Sequence, residues 1–191
     1  HILIIDDNSP DGTAKEVEQL KVKYPDRLFL QSRPGKLGLG TAYIAGFKWA
    51  LKNNYDYIVE MDADFSHKPS DLPRLLKSCA DGADVVIGSR YVKNGNVEDW
   101  PFNRIFISKG ASLYVRMITG MPVKDTTAGF VCYKRKVLET IDLDKIKFIG
   151  YAFQIELKFA AWKCGFTLME IPITFKDREK GISKMSSGIF K

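Results

Sequence analysis

The apolar positions of this chain fall in short runs, and the spacing inside the runs alternates between strand and helix periods. Residues 1–5, HILII, are a continuous apolar run of strand type. The run ends in DDNSPDGT, which is rich in turn formers. Thr13 with Glu16 three residues on reads as a capping box, and Val17, Leu20 and Tyr24 then share one helix face. RLFLQSR predicts a short strand, and GKLGLGTAYIAGFKWALK a Gly-rich loop running into a helix. DYIVEM predicts a strand, PSDLPRLLKSC a short helix and ADVVIGSR another strand. This βαβα rhythm predicts an α/β fold, a parallel sheet with helices on both faces.

The second half is less regular. NRIFISKGASLYVRMITG predicts a helix that is apolar on more than one face. GFVCYKR predicts a strand, and AFQIELKFAAWKCG a helix with Phe153, Leu157, Ala161 and Cys164 in step. TLMEIPITF alternates, placing Met169, Ile171, Ile173 and Phe175 on one side. The longest apolar segment, RIFISKGASLYVRMITG, is broken by Lys109 and Arg116, so no bilayer span is expected. There is no signal-peptide pattern. The chain opens in mid-strand, so an upstream strand is expected to be missing.

Composition narrows this further. With 191 residues, 45% hydrophobic and 12% aromatic, the chain can bury one real core, which excludes a disordered protein. Cys79, Cys132 and Cys164 are odd in number, far apart and form no C-x-x-C pair. That argues against a zinc site or a disulfide framework and for reduced, buried thiols in the cytosol or at a cytosolic membrane face. The net charge of +6 is uneven: residues 176–191 hold five basic against two acidic side chains. Such a segment suits phosphates of a nucleotide, lipid headgroup or nucleic acid; on composition alone a solvated surface is the plainer account.

In an open α/β sheet, ligands bind beyond the carboxyl ends of the strands, and the polar clusters fall there. Asp6-Asp7 follow the first strand, Asp62-Ala63-Asp64 the third and Gly88-Ser89-Arg90 the fourth. Two carboxylates at i and i+2 repel unless a cation lies beside them, and oxygen ligands suit Mg²⁺ or Mn²⁺. An exposed acidic turn is the plainer account of a bare D-x-D; its place at the end of an apolar strand favours the metal. His67 is either a further ligand or an ordinary turn histidine. An Asx turn and helix cap explain Ser9, Asp11, Gly12 and Thr13 but leave Asp6 and Asp7 to bond ribose hydroxyls or a base edge. GKLGLG lacks the endings of a P-loop or a dinucleotide loop and reads as a flexible loop. Arg90, Arg104, Arg178 and Lys184 are single cations that, beside a metal, could clamp a diphosphate and an anionic acceptor.

DDNSPDGT, MDADFSHKP some 55 residues later and GSRYV together resemble the family 2 glycosyltransferases of the GT-A (Rossmann-like) fold. VEDWPFNRIFISKGAS, DTTAGF and FKDREKGISK narrow the resemblance to the polyprenol-phosphate mannosyltransferases, the dolichol-phosphate mannose synthase group, over nearly the whole chain. It implies a single GT-A catalytic domain over 1–191, with a nucleotide-binding half (1–92) and an acceptor-binding half (93–191). Ile5 and Asp7 match positions that hold the base and ribose, Asp62 and Asp64 match the metal ligands, and Ala63 packs on the nucleotide. Some relatives place a glutamine at the position of Ser66; serine is a weaker metal ligand. Arg90 and Arg104 match arginines on the donor and acceptor phosphates, and Arg178 and Lys184 a cationic pair over the donor diphosphate. The family's N-terminal strand is absent.

The implied activity is inverting transfer of mannose from GDP-mannose to a polyprenyl phosphate, with Mg²⁺ or Mn²⁺, at the cytoplasmic face of a membrane. The implied partners are a nucleotide-sugar donor, a lipid phosphate acceptor and a membrane surface, without nucleic acid. An acceptor phosphate is already an anion and needs no strong base; for a hydroxyl acceptor Asp125 would be the base. The rivals are transfer of another sugar such as glucose from UDP-glucose, a non-catalytic nucleotide- or membrane-binding module, and a nucleotidyltransferase.

Overall fold

The computed structural model describes residues 1–177. Eight strands and six α-helices lie along them. They are β1 (Ile2–Asp6), α1 (Thr13–Lys23), β2 (Leu28–Ser32), α2 (Leu39–Lys52), β3 (Tyr57–Glu60), α3 (Leu72–Ala80), β4 (Val85–Ser89) and β5 (Asn96–Glu98). Then follow α4 (Phe102–Thr119), β6 (Val131–Lys134), α5 (Arg135–Thr140), α6 (Ala152–Lys163), β7 (Leu168–Pro172) and β8 (Thr174–Lys176). The α/β architecture expected from the sequence is present.

The central sheet has the order β3–β6–β4–β7. Its middle strand β4 is the run VVIGS, buried throughout, as a strand covered on both faces must be. Val85 and Ile87 point to one layer, with Phe47 of α2, Tyr133, Val137 and Leu138, and Phe153 and Leu157 of α6. Val86 points to the other, with Leu75 and Cys79 of α3, Phe130, Cys132 and Ile173.

The sheet is parallel at β4–β7, and so are the β1–β2 and β5–β8 pairs. Strand β6 departs from the expected parallel order: it runs antiparallel to both β3 and β4. The consequence is positional. Val131 at the start of β6 pairs with Glu60 at the end of β3 and Ile87 near the end of β4. The turn at 125–130 therefore shares one rim with the carboxyl ends of β3 and β4.

Strands β1 and β2 pair only with each other among the described residues. A cavity of about 330 Å³ lies beside them, lined by consecutive residues of β1 (Leu3, Ile4, Ile5) and of 57–63. Runs of consecutive residues expose both pleat faces, so its walls are the facing edges of β1 and β3. Tyr43, Phe47 and Trp49 of α2 close its floor.

Local expectations were revised in four places. Gly12, in the left-handed region at φ 86°, caps α1 in place of Thr13, and Asp11 Oδ1 accepts from Thr13 N and Oγ1 at 3.1 and 2.6 Å. On α1 only Val17 is buried; Leu20 and Tyr24 stay half exposed. Cys164 is exposed at the end of α6, although Cys79 and Cys132 are buried; all three are free thiols. The short elements β5 and α5 carry too few residues for a period to show.

Candidate active site

Strand β3 delivers Asp62 and Asp64 to the rim. The backbone there turns through Phe65, which takes the left-handed conformation at φ 63°. That turn is closed by Ser66, whose backbone N and Oγ donate to Asp64 Oδ1 at 3.1 and 2.5 Å. Ser66 is itself buried. It thus orients a carboxylate. Asp62 Oδ1 accepts from the hydroxyl of Tyr43 on α2 at 2.6 Å. Burial, and then the Asp62 charge, raise the Tyr43 pKa well above its ordinary value, so its proton stays in that bond. On the other side, Gly129 faces Asp62 Oδ2 and Gln154 Nε2; a Cβ there would stand 3.9 and 3.7 Å from them.

No group of three His, Cys, Asp or Glu side chains gathers to hold a metal among the described residues. Two carboxylates oriented by neighbours on one rim suit a hard cation that completes its shell with substrate phosphates and water. His67 packs between the rings of Phe130 and Phe175, at 4.9 and 5.2 Å, and burial lowers its pKa. It belongs to the wall.

The end of β4 supplies Arg90. Its backbone N and Nε donate to Asp125 Oδ2 at 2.9 and 2.7 Å, and Nη2 donates to Asp125 Oδ1 at 2.7 Å and Thr127 Oγ1 at 3.0 Å. Burial alone would lower the Arg90 pKa, but the Asp125 carboxylate reverses this and raises it. Asp125 is fully buried with both oxygens engaged by Arg90. It holds a cation in place; it does not present a carboxylate to take a proton from a hydroxyl. The rings of Tyr91, Trp100 and Phe175 surround the Arg90 guanidinium at 5.1–5.4 Å. Arg104, at the start of α4, stacks on the same Trp100 at 3.8 Å and bonds both oxygens of Asp177 through Nη1. The two arginines expected to act together are thus joined through one indole.

At the β1 end, Asp7 forms a bidentate pair with Arg33: Nε to Oδ1 at 2.6 Å and Nη2 to Oδ2 at 2.7 Å. Arg33 Nη1 also donates to Thr41 Oγ1, which ties the first turn of α2 to the rim. Ile5, Asp62 and Ala63 share the cavity between β1 and β3, with Ala63 exposed. Arg178 and Lys184 lie outside the described residues.

Several site residues carried little signal in the sequence. Tyr43 and Lys158 occupy apolar faces of α2 and α6, and Glu60 is the last residue of β3; a polar residue in a core position was the available clue. Glu60 and Lys158 are fully buried. Burial pushes the Glu60 carboxyl up to about 8 against the pull of Lys158, and the Lys158 ammonium down to about 8 against the pull of Glu60.

The sequence profile described as glycosyl transferase family 2 matches residues 1–142. The chain belongs to that family. Among the relatives of this glycosyltransferase, polyprenol monophosphomannose synthase of Mycolicibacterium smegmatis is 50% identical over 186 residues, 97% of this chain and 70% of the relative. Undecaprenyl-phosphate mannosyltransferase of Micrococcus luteus is 47% identical over 188 residues, 98% of this chain and 76% of the relative. In fold, the glycosyltransferase matches glucosyl-3-phosphoglycerate synthase of Mycobacterium tuberculosis. The complex of that protein with Mn²⁺, UDP and glucosyl-3-phosphoglycerate superposes with a TM-score of 0.63 at 17% identity, over 94% of this chain and 61% of the other. A second structure of it gives 0.60 at 17% identity, over 98% and 62%. At that identity the likeness speaks for the GT-A fold alone.

Proposed function

We propose that this glycosyltransferase transfers mannose from GDP-mannose to a polyprenyl phosphate at the cytoplasmic face of a membrane. The observation that carries the reading is the pair of cationic and anionic groups on one rim, Asp62/Asp64 and Arg90/Arg104, in a chain about half identical to two enzymes named for mannose and a lipid phosphate. Asp62 and Asp64 would hold Mg²⁺ or Mn²⁺, which, when bound, supplies Lewis-acid stabilisation of charge on the departing diphosphate. Ile5, Asp7 and Ala63 would bind the nucleoside. Arg33 keeps Asp7 in a fixed rotamer for a ribose hydroxyl.

Arg90, held by Asp125 and Thr127, and Arg104, backed by Trp100, offset repulsion between the acceptor phosphate and the donor diphosphate. Arg178 and Lys184 belong to the same reading as cations over the diphosphate. With Asp125 committed to Arg90, a phosphate acceptor that arrives already ionised fits better than a hydroxyl.

Helix α4 is the proposed membrane contact. Phe102, Phe106, Leu113 and Met117 are exposed by 92, 80, 53 and 69%. At about 100° per residue they fall within roughly 60° of one another on the helix surface. Lys109 and Arg116 lie along one edge of that stripe, and α4 carries no acidic residue. No helix among the described residues is long and apolar enough to cross a membrane, so this would be a surface contact.

The test is turnover of GDP-mannose, UDP-glucose and other sugar nucleotides with a short polyprenyl phosphate or glycerol as acceptor, with Mn²⁺, Mg²⁺ or a chelator. GDP-mannose with the lipid phosphate, dependent on metal, is expected to give the highest kcat/KM. Equal rates with glycerol, or with the chelator, would refute the reading.

A further inference from the structure

Lys158 sits on α6 among Phe153, Gln154, Leu157 and Ala161, with no exposed surface. An ammonium in a core is tolerated only if its N–H groups find acceptors. These do: Nζ lies 2.6 Å from Ala128 O, 3.4 Å from Thr126 O, 3.0 Å from Gln154 O and 3.2 Å from Gln154 Oε1. Two of these acceptors are backbone carbonyls of the turn before β6. That turn precedes a strand, and its carbonyls would otherwise face the core without a donor.

The same turn carries the site on both sides. Asp125 and Thr127 hold the Arg90 guanidinium. Gly129 faces Asp62 Oδ2. Glu170 Oε1 and Oε2 accept from the backbone N of Asp125 and Lys124 on one flank, and Thr126 Oγ1 bonds Ser112 Oγ of α4 on another. Lys158 holds the remaining side, from below.

We propose that Lys158 is a positioning residue of the transfer site, whose buried ammonium gathers the Thr126 and Ala128 carbonyls and so fixes the turn that aims Arg90 at one end and seats Asp62 at the other. The inference deepens the proposed function and rests on it for the roles of Arg90 and Asp62. Hydrogen-bond donation, not bulk, does this work: a methionine fills nearly the same volume along the same stem but cannot donate.

The experiment compares the full chain with Lys158→Met. The quantities are thermal midpoint, kcat and KM with GDP-mannose and a short polyprenyl phosphate, the Mn²⁺ concentration for half-maximal rate, and Mn²⁺-dependent GDP binding by calorimetry. Lys158→Met is expected to lower kcat and weaken Mn²⁺-dependent GDP binding by about tenfold or more in the protein that remains folded, the range seen when a group supporting a metal ligand is removed. A residue that only stabilises the fold would cut the maximal rate in proportion to folded protein and leave KM, the Mn²⁺ midpoint and the GDP constant within twofold; that result overturns the inference. If Lys158→Met does not fold, Lys158→Gln, which keeps an N–H donor, is measured in the same way. Intermediate losses support the proposal, and wild-type constants overturn it. A wild-type chain that binds GDP with Mn²⁺ yet transfers no mannose refutes the proposed function alone, and calorimetry of the variants still decides the role of Lys158.

Discussion

Asp125 and Ser66 show how one side chain changes meaning once its neighbours are known. In the sequence each is a plausible actor, a base and a metal ligand. In the fold each orients another group, Arg90 and Asp64. Removing one partner of a buried ion pair costs roughly 3–5 kcal/mol, because the other charge remains without compensation. Asp125→Asn is therefore expected to lower the unfolding free energy by about that much, read from urea titrations. Thr127→Val removes only a neutral acceptor and should cost about 1 kcal/mol. If Asp125→Asn left stability unchanged while abolishing transfer, Asp125 would be acting on substrate after all.

At the scale of elements, the strand ends that carry the D-x-D and Arg90 were legible because apolar runs stop abruptly in polar clusters. The order β3–β6–β4–β7 was not, since antiparallel insertion of β6 leaves no local period. The same holds for Tyr43 and Lys158, which sit on helix faces that read as apolar. For α4 the sequence showed only a helix apolar on more than one face, which does not say what those faces meet. The helix leaves Phe102, Phe106 and Met117 in solvent and buries only Ser112. Changing those three to serine should leave the thermal midpoint nearly unmoved, as exposed substitutions do. It should weaken binding to anionic vesicles by at least about tenfold, since each inserted apolar side chain contributes roughly 1.5–3 kcal/mol. Co-flotation with vesicles at low and high salt measures this; equal flotation of variant and wild type would exclude α4 as the contact.

For the whole molecule, the order of pairing divides the backbone into unequal parts. β4 is buried throughout and β6 is buried except at Lys134, and both are hydrogen-bonded on both flanks. Among the described residues β5 and β8 pair only with each other, and none of their residues is buried. Local opening free energies follow such differences. Amides of β5 and β8 should therefore exchange with deuterium at least about a hundredfold faster than those of β4 and β6. Arg104 bonds Asp177 at the end of this looser pair, while Arg90 and Asp62 follow strands of the tighter sheet. A lipid phosphate held between Arg90 and Arg104 would span both parts. A short polyprenyl phosphate should then slow exchange in β5 and β8 while leaving β4 as it was, so that the acceptor braces the surface on which it lands.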